Sequence, residues 1–449
     1  AHLARHDSLT DLPNRNMLQQ FIEDALARSA ETGEKLAVLC LDLDNFKNVN
    51  DTLGHAVGDK VLRQVGQRIS GVCRSDNLVS RIGGDEFIVV QVGVSGRGDP
   101  EILADRIIES LVDPFEIDGK ELRTGTSIGI AMSPDNSSDA ETLLKFADTA
   151  LYAAKSRGRG KKAFFEKSLQ AKLDARQKLE LELKTANFDD EFYVEYQPQV
   201  ETRSGRIKGV EALLRWTSPR RGSVSPTEFI PVAEEIGMIG RLGEWALNKA
   251  CADAMQWPDD ICLAVNVSPM QFTGDDFVAT LSDALAETGL APHRIELEIT
   301  ESLFLAEDDA TLQAMTALKA AGIRIALDDF GTGYSALSYI HKFPIDKIKI
   351  DRSFVLGLEN DRTQNLEIVR AIVAMADSLG IETLAEGVEN EVQLALITAA
   401  GCHQVQGFHF ARPASVRKIT ALTAGDCILP VRPHLPEAKQ KPPLRIVAG

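Results

Sequence analysis

The sequence predicts an α+β domain with a mainly antiparallel sheet and flanking helices, followed by a modified (β/α)8 TIM-type barrel with one antiparallel strand. Three observations predict this arrangement. The first half alternates helical and strand-like patterns and contains a hairpin at SRIGGDEFIVV. The second half holds eight strand candidates, most of them separated by helical stretches. Its first two strands are joined only by the ETRSG region, which is too short for a parallel crossover.

The elements of the first half follow from the spacing of its apolar residues. In chain order they are a strand at LAVLCLDLDNF, a helix at GDKVLRQVGQRI, the hairpin, a helix at ILADRIIESL, a strand at LRTGTSIGIAM and a helix at AETLLKFADTALYAAKSRG. In the hairpin, Gly83 and Gly84 can reach the positive φ values that a tight turn needs. This mixed order predicts an antiparallel sheet with helices packed against it.

The strand candidates of the second half are rich in apolar and β-branched residues. They are FYVEYQPQV, RIKGVEALLRW, ICLAVNVS, RIELEIT, IRIALDD, DKIKID, IETLAEGV and HQVQGFHF. Helical stretches such as FVATLSDALAETG and NLEIVRAIVAMADSLG lie between several of them. In a barrel of this kind the carboxyl ends of the strands meet at one mouth, where the chemistry is expected.

Length and composition limit the class of protein. With 449 residues, 44% apolar and 26% charged, the chain is globular and long enough for two or three domains. A formal net charge of −17 disfavours general affinity for DNA, so no nucleic acid duplex is expected as a partner. The six cysteines show no metal-type pairing and suit a reducing cytoplasm. The chain lacks an initiator Met, so we expect an upstream sensor or membrane-tethered region in a longer, membrane-anchored protein.

A change in composition marks a linker between the halves. The segment 165–187 is rich in charge and leucine, and Leu169, Leu173, Leu179 and Leu183 form two pairs at i,i+4 spacing. We predict a connecting helix there. The resulting boundaries are a first domain at 1–164, a linker helix at 165–187, a barrel domain at 188–430 and a C-terminal extension at 431–449.

Polar side chains recur at the predicted carboxyl ends of the barrel strands. They are Glu211, Asn266, Glu298, Glu301, Asp328, Asp329, Lys349, Asp351, Glu386, Glu389 and Gln406. Separate structural roles for most of them are disfavoured, because buried acids are rare unless they are paired or bind metal. Carboxylates and an amide, without a cluster of His or Cys, select hard divalent cations. The sequence therefore predicts a common Mg²⁺ or Mn²⁺ site.

Neighbouring acids at the end of one strand indicate two ions. Asp328 and Asp329 can serve two metals, an arrangement that suits in-line attack on a phosphoryl group by water of lowered pKa. Lys349 is a candidate to hold or deprotonate that water. The loop DDFGTGYSAL is a candidate lid anchored by Glu301, with an ordinary βα connection as the alternative. Arg215 is a candidate phosphate clamp.

The motifs VEALLRW, NVS, ELEITES, DDFGTGYSAL, IKID, AEGVE and QG, in this order between about Phe188 and Pro413, resemble the EAL family of cyclic di-GMP phosphodiesterases. The resemblance implies two Mg²⁺ or Mn²⁺ ions, and it implies as their ligands Glu211, Asn266, Glu298, Asp328 and Asp329. It implies that Lys349 orients the attacking water and that Glu386 acts through water, so that the catalytic residues are Glu211, Lys349 and Glu386. The implied substrate-binding residues are Gln197, Leu213, Arg215 and Gln406.

The hairpin of the first half has two acids at its exit. Asp85 and Glu86 repel each other unless a cation joins them, and Asp42 ends a strand that can lie beside the hairpin. RIGGDEF, together with DLDNFKNVNDTLGHAVGD and YAAKSRGR, resembles the GGDEF domain, the nucleotide cyclase that condenses two GTP into cyclic di-GMP. The resemblance implies a nucleotide-cyclase-like fold that binds Mg²⁺ with GTP.

This second resemblance also implies individual roles. The implied Mg²⁺ ligands are Asp42, the Leu43 carbonyl and Asp85, with Glu86 assisting deprotonation of the 3′-hydroxyl. The implied nucleotide-binding residues are Asn50, Asp59, Gly84, Lys155 and Arg159. The family's inhibitory product site is an Arg-x-x-Asp motif, and here it corresponds to Arg74 and Asn77. Because Asn77 lacks the acid's charge, this site is expected to be degenerate.

Three hypotheses for function follow. The leading one is metal-dependent hydrolysis of cyclic di-GMP to 5′-pGpG by the barrel, regulated by GTP binding to the first domain. The second is a bifunctional enzyme that also makes cyclic di-GMP from two GTP. The third is a non-catalytic effector that binds cyclic di-GMP. A homodimer is expected because a cyclase must bring two such domains face to face, and this region is expected in the cytoplasm.

Overall fold

The computed structural model describes residues 4–272, 277–306, 309–331, 340, 342–358 and 362–424. They form two compact units that divide between Lys178 and Leu179. The predicted C-terminal extension lies outside the described residues, as do the last six residues assigned to the barrel domain. Within the described part of the chain, no helix combines the length and the apolar character needed to cross a membrane.

The first unit is a five-stranded sheet with helices on both faces. Its elements are α1 (Arg15–Thr32), β1 (Lys35–Leu43), α2 (Phe46–Leu53), α3 (His55–Val72), β2 (Leu78–Gly83), β3 (Glu86–Val94), α4 (Gly98–Val112), β4 (Phe115–Ile117), β5 (Lys120–Leu122), β6 (Thr126–Ser133), α5 (Ala140–Ser156) and β7 (Lys162–Phe164). The sheet order is β2-β3-β1-β6-β7, and β4 and β5 form a separate hairpin. Strand β1 is antiparallel to both β3 and β6, whereas β6 and β7 are parallel.

The central strand β1 is almost entirely apolar because both of its faces are covered. Leu39 and Leu41 pack in a core with α3 and α4, whereas Val38 and Cys40 pack in a core with α1 and α5. Helix α5 lies directly on β6, since a Cβ built at Gly129 would be 2.0 Å from the Ala147 carbonyl oxygen. The predicted α+β class is confirmed.

A helix connects the two units. α6 (Lys167–Thr185) occupies most of the predicted linker. In the first unit, Leu169 packs with buried alanines of α5 and β7. In the second unit, Leu179 and Leu183 pack with Trp216 and Phe229. Three of the four leucines therefore belong to hydrophobic clusters, one cluster at each end of the helix.

The second unit is an eight-stranded barrel. Its elements are α7 (Phe188–Glu191), β8 (Phe192–Glu201), β9 (Ile207–Ser218), β10 (Gly222–Val224), α8 (Pro226–Glu235), α9 (Ile239–Ala254), β11 (Cys262–Asn266), α10 (Pro269–Phe272), α11 (Phe277–Thr288), a 3-10 helix (Pro292–Arg294), β12 (Ile295–Thr300), a 3-10 helix (Glu301–Ala306), α12 (Asp309–Ala320), β13 (Arg324–Phe330), β14 (Lys347–Ile350), α13 (Arg352–Gly357), α14 (Arg362–Leu379), β15 (Glu382–Ala385), α15 (Glu391–Ala399), β16 (Gln404–Val405) and α16 (Val416–Thr423).

The barrel closes through one antiparallel strand. The order around it is β9-β11-β12-β13-β14-β15-β16-β8, and β8 also pairs with β9. Neighbouring strands from β9 to β16 are parallel, whereas β8 is antiparallel to both β9 and β16. This confirms the predicted modified barrel. The short strand β10, which adds to the edge of β9, was not predicted.

Candidate active site

An irregularity in β13 brings two neighbouring acids to the barrel mouth. Between Leu327 and Phe330 the pairing with β14 gains one residue, which is a β-bulge. Asp329 has φ 54°, in the left-handed region that few non-glycine residues adopt. In a regular strand, Asp328 and Asp329 would face opposite sides of the barrel wall. Here the carboxylate oxygens of Asp328, Asp329 and Glu386 come within 4.8 Å of one another.

The ammonium group of Lys349 lies among the acids of the mouth. Its Nζ is 2.7 Å from Glu298 Oε2, 2.7 Å from Glu386 Oε1, 3.1 Å from Asp328 Oδ2 and 3.7 Å from Glu211 Oε1. The Lys349 side chain is only 1% exposed. Four barrel strands therefore direct four carboxylates at one buried cation.

Side-chain amides hold the carboxylate of Glu211. Asn266 donates from Nδ2 to Glu211 Oε1 at 2.7 Å, and Gln406 donates from Nε2 to Glu211 Oε2. Gln406 Nε2 also lies 3.1 Å from Gln197 Oε1. Gln197 sits directly opposite Glu211 in the β8–β9 ladder. These contacts fix the orientation of Glu211, and the amide oxygen of Asn266 is the atom that could serve a cation.

Burial and mutual repulsion raise the proton affinity of several acids. Burial, reinforced by Glu211, raises the pKa of Glu298 well above its usual value. Burial raises the pKa of Glu386 to about 7. Burial and the neighbouring Asp328 raise the pKa of Asp329. Burial is the largest cause of each shift, and neighbouring carboxylates add to it.

Two groups respond in the opposite sense to their burial. Burial alone would lower the pKa of Lys349, but the surrounding carboxylates raise that pKa well above its usual value. Burial alone would raise the pKa of Glu211, but Lys349 and the amides of Gln406 and Asn266 lower it. At neutral pH the site therefore contains an ammonium and at least one ionised carboxylate.

The residues present fit a divalent cation. Four carboxylates surround the ammonium group of Lys349 and Asp329 lies beside them, so carboxylates outnumber the ammonium group at the mouth. The side chains that contact Lys349 or one another at the mouth offer carboxylate and amide oxygens as ligand atoms. Such a set favours Mg²⁺ or Mn²⁺, and a bound cation would reverse the local pKa shifts of the acids.

Glu301 contacts the start of the predicted lid. Its Oε1 accepts a hydrogen bond from the Gly331 N–H at 2.9 Å. Gly331 has φ 98°, and a Cβ there would lie 2.9 Å from the ring of Phe354, so a side chain is disfavoured at this position. The lid residues 332–339 lie outside the described residues. Glu301 therefore holds the backbone of Gly331, at the start of the loop.

Leu213 and Arg215 follow Glu211 along β9 in steps of two, which places them on the same side of the strand. Arg215 Nε donates to Glu195 Oε2 on β8 at 2.8 Å. Arg215 also donates from Nη1 to the Leu214 carbonyl at 3.0 Å. Its side chain is thereby held in place, and its role as a phosphate clamp stays a prediction.

Two other predicted strand-end acids lie at helix starts. Asp351 Oδ1 accepts from the Ser353 N–H at 2.9 Å and so caps α13. Glu389 lies just before α15, where its N–H donates to Gln393 Oε1 at 2.7 Å. The capping contact gives the Asp351 carboxylate a structural role, whereas the Glu389 contact is made by its backbone.

In the first unit, strand β1 and the β2–β3 turn bring the predicted metal ligands together. Asp42 lies opposite Glu86 in the β1–β3 ladder, and Asp85 occupies the turn after Gly84, whose φ is 53°. Lys155 Nζ is 2.7 Å from Asp42 Oδ1. Burial raises the pKa of Asp42, with Asp85 adding to it and Lys155 opposing it.

Sequence reasoning did not identify Asp148 as a neighbour of this site. Burial raises the pKa of Glu86, and Asp148 is the largest of the charges that add to the shift. Asp148 lies on α5 seven residues before Lys155, about two helical turns along the same face. That spacing was a usable signal in the sequence.

Other residues predicted to bind nucleotide or metal lie on α2, on α3, at the end of β1 and after α5. A Cβ built at Gly58 would be 2.0 Å from Asn50 Oδ1, so Asn50 packs against the residue next to Asp59. Leu43 is the last residue of β1. Arg159 has φ 53° and follows α5.

The predicted inhibitory site lies between α3 and β2. Asn77 donates its N–H to the Arg74 carbonyl at 3.1 Å. The side-chain Oδ1 of Asn77 is buried and has no hydrogen-bond partner among the described residues. The neutral amide therefore does not form the ion pair that an acid at this position would offer to an arginine.

Comparison with known families gives a match for each unit. The EAL domain family matches residues 180–413, and the family described as diguanylate cyclase, GGDEF domain, matches residues 4–161. A solved structure described as PaMucR phosphodiesterase in complex with c-di-GMP is 39% identical. The match has a TM-score of 0.52 and covers 54% of this chain and 99% of that chain.

Curated relatives resemble the chain over both units. It is 39% identical over 94% of its length to the bifunctional diguanylate cyclase/cyclic di-GMP phosphodiesterase MucR of Pseudomonas aeruginosa, and covers 62% of that protein. It is also 39% identical over 92% of its length to the cyclic di-GMP phosphodiesterase PdeR of Escherichia coli K12, again covering 62% of the relative. Across four such relatives the chain spans 51% to 62% of their length.

Proposed function

The chain belongs to the EAL domain family and carries a GGDEF domain before its EAL domain, and from this membership we propose that the barrel hydrolyses cyclic di-GMP to linear 5′-pGpG. The observation that carries the proposal is the group of four carboxylates around Lys349, with Asp329 beside them. The names of MucR and PdeR, two relatives that resemble the chain over both units, describe cyclic di-GMP phosphodiesterases.

Mg²⁺ or Mn²⁺ is the proposed cofactor of the barrel. Glu211, Asn266, Glu298 and Asp328 would hold one ion, and Asp328 with Asp329 would hold a second. When bound, the two ions supply Lewis-acid polarisation of the phosphoryl group and lower the pKa of the attacking water. Glu386 is proposed to act through a water molecule.

Lys349 has two proposed functions in the reaction. Its ammonium group donates hydrogen bonds and so can orient the attacking water. It also reduces the repulsion between Glu298, Asp328 and Glu386, which it contacts at 2.7 to 3.1 Å. Arg215 is proposed to bind a phosphate of the substrate, with Gln197, Leu213 and Gln406 as further substrate contacts.

The first unit is proposed to bind GTP with Mg²⁺ and to regulate the barrel. Support comes from the contacts that bring Asp42, Glu86 and Lys155 together. A homodimer is proposed as well; the bifunctional alternative requires it, because synthesis of cyclic di-GMP needs two GTP sites that face each other. Since GTP and cyclic di-GMP are cytoplasmic nucleotides, we propose a cytoplasmic site of action for both units.

Two alternatives remain. A bifunctional enzyme is favoured by the resemblance to MucR, whose name gives both activities. A non-catalytic effector is disfavoured because all implied metal-ligand positions of the barrel carry an oxygen-donor side chain.

Incubation of the protein with cyclic di-GMP, with Mg²⁺ or Mn²⁺ and with or without GTP, tests these proposals when the products are separated by chromatography. We expect 5′-pGpG from the wild type and none from Glu211→Gln, which keeps the size of the side chain but removes its charge. Faster hydrolysis with GTP supports regulation. Cyclic di-GMP formed from GTP by the Glu211→Gln variant supports the bifunctional alternative, whereas binding without turnover supports the effector.

A further inference from the structure

Beneath the acids of the mouth, the barrel contains a second layer of polar side chains. On β12 the inward-facing positions are Glu298 and, two residues earlier, Glu296, and on β14 they are Lys349 and Lys347. Their exposure is 1%, 1%, 1% and 2%, respectively. Lys347 Nζ lies 2.5 Å from Glu296 Oε1, so the lower layer is itself a buried ion pair.

Gln199 on β8 connects the two layers. Its Oε1 accepts a hydrogen bond from Lys347 Nζ at 3.2 Å, and its Nε2 donates to Glu298 Oε1 at 3.1 Å. The side chain is fully buried. Gly209 lies directly opposite on β9, and a Cβ there would be 2.7 Å from Gln199 Oε1. Glycine at position 209 therefore provides the space that the amide occupies.

The two contacts fix the orientation of the amide. An ammonium group only donates hydrogen bonds, so the amide oxygen of Gln199 faces Lys347 and its NH₂ group is left to donate to Glu298. The hydrogen bond from Gln199 holds Oε1 of Glu298 toward the lower layer. The other oxygen, Oε2, is the one that lies 2.7 Å from Lys349 Nζ among the acids of the mouth.

We propose that Gln199, supported by Lys347, is a positioning residue that orients Glu298 for binding a divalent cation. The inference rests on the proposed function, because Glu298 is one of the side chains that would hold the ion. Loss of a hydrogen bond that orients a metal ligand typically changes metal affinity or activity by about 10- to 100-fold. The effect should fall on cation affinity, since Gln199 lies below the mouth.

Binding of Mn²⁺, followed by the loss of the EPR signal of the free aqua ion, tests the proposal without turnover. All proteins in the titration carry Asp42→Ala, which removes a predicted ligand of the first unit. Gln199→Met keeps the length of the side chain and removes both hydrogen bonds. Gln404→Met is the matched control, because Gln404 is a buried glutamine of the same barrel that contacts Glu382.

We expect Gln199→Met to bind Mn²⁺ about 10- to 100-fold more weakly than its parent and Gln404→Met to bind it unchanged. In hydrolysis assays without Asp42→Ala, Gln199→Met should need correspondingly more Mn²⁺, with a similar KM for cyclic di-GMP at saturating Mn²⁺. A purely structural role for Gln199 would lower stability and leave the Mn²⁺ affinity of the folded protein unchanged. That result would overturn the proposal.

Folding of each variant is followed by tryptophan fluorescence, which reports on the second unit because all three tryptophans, Trp216, Trp245 and Trp257, lie there. If Gln199→Met does not fold, Gln199→Asn replaces it, since this variant keeps the amide but withdraws it by one methylene. Weaker Mn²⁺ binding by the variant supports the inference even if no protein hydrolyses cyclic di-GMP. That last outcome would overturn only the proposed function.

Discussion

Lys349 Nζ lies 2.7 Å from Glu386 Oε1, at a point where Glu298 and Asp328 also reach the same ammonium group. The lysine comes from β14, and Glu386 directly follows β15. An isolated ammonium at 1% exposure would be strongly disfavoured, and so would the isolated carboxylates. The Lys349 ammonium and the surrounding carboxylates therefore stabilise each other in their charged forms.

Replacement of Lys349 by Met is expected to slow hydrolysis strongly while the barrel still folds. The variant loses the hydrogen-bond donor proposed to orient water, which should lower kcat by roughly 10²- to 10⁴-fold. The barrel should still fold because the unpaired acids can take up protons. Steady-state kinetics at saturating Mn²⁺, with tryptophan fluorescence as the test of folding, measures both effects. If kcat stayed within about threefold of wild type, the loss would be far smaller than general acid–base or water-orienting groups usually give. That result would exclude the proposed role of Lys349 in orienting the attacking water.

The stability of the metal-free protein is expected to fall as pH rises from about 4.5 to about 7. The pKa of Glu386 is about 7 in the folded protein and near 4.5 in the unfolded chain. Between these two pH values the folded protein keeps a proton on Glu386 that the unfolded chain has already released. The free energy of unfolding therefore decreases with rising pH. The contribution of Glu386 to the free energy of unfolding is fully present below pH 4.5 and is lost as the pH rises through 7.

Glu386→Gln should remove this contribution. In urea titrations with chelator, the drop in the free energy of unfolding between acidic and neutral pH should be smaller than in wild type by on the order of 2 kcal/mol. Glu298 and Asp329, whose pKa values are also raised, should retain part of the slope. Identical pH dependence in the two proteins would contradict the raised pKa of Glu386.

Much of the fold was predictable because its signals are local. The short ETRSG connection predicted the antiparallel β8–β9 pair, and the acids at the strand ends predicted the barrel mouth. The paired glycines before Asp85 predicted the β2–β3 turn. Each of these features depends on chain length, periodicity or φ preference, all of which can be evaluated from neighbouring residues.

The features that were not predicted depend on distant residues. The bulge that places Asp328 and Asp329 in one site is a shift in pairing with β14, and the sequence of β13 alone does not specify it. Strand β16 spans only Gln404–Val405. After it the chain turns, and the backbone carbonyl of Gln406 accepts a hydrogen bond from the Val388 N–H. Gln199 was not identified from the sequence, although its position two residues after Gln197 on β8 was a local signal for the same side of the strand.

Glu301→Ala is expected to reduce hydrolysis without a large loss of stability. It removes the acceptor of the Gly331 N–H, a hydrogen bond to a charged group worth about 1.5–3 kcal/mol. If that energy orders the loop in the reactive complex, kcat/KM should fall by roughly 10- to 100-fold. Glu301→Gln keeps an acceptor oxygen and is the matched control. Equal losses in both variants would point to the charge of Glu301 rather than to this hydrogen bond.

Gly407→Ala is expected to disturb the site through the backbone. A Cβ at this position would lie 2.1 Å from the Val388 carbonyl oxygen and 2.4 Å from its nitrogen, so the chain after β16 must move. Gln406, whose amide donates to Glu211, would move with it. Overpacking of this kind typically costs about 1–3 kcal/mol. Urea unfolding followed by tryptophan fluorescence should show that loss, and kcat/KM should fall by at least about tenfold because a misplaced Glu211 binds the cation less well.

The matched control is Gly240→Ala in helix α9. A Cβ there meets nothing within 4 Å, and the position does not require positive φ. Alanine should therefore leave activity unchanged and should stabilise the barrel by about 0.4–1 kcal/mol, because it restricts the unfolded chain. If Gly407→Ala proved as stable and as active as Gly240→Ala, the close approach of Gly407 to Val388 would not be what positions Gln406 against Glu211.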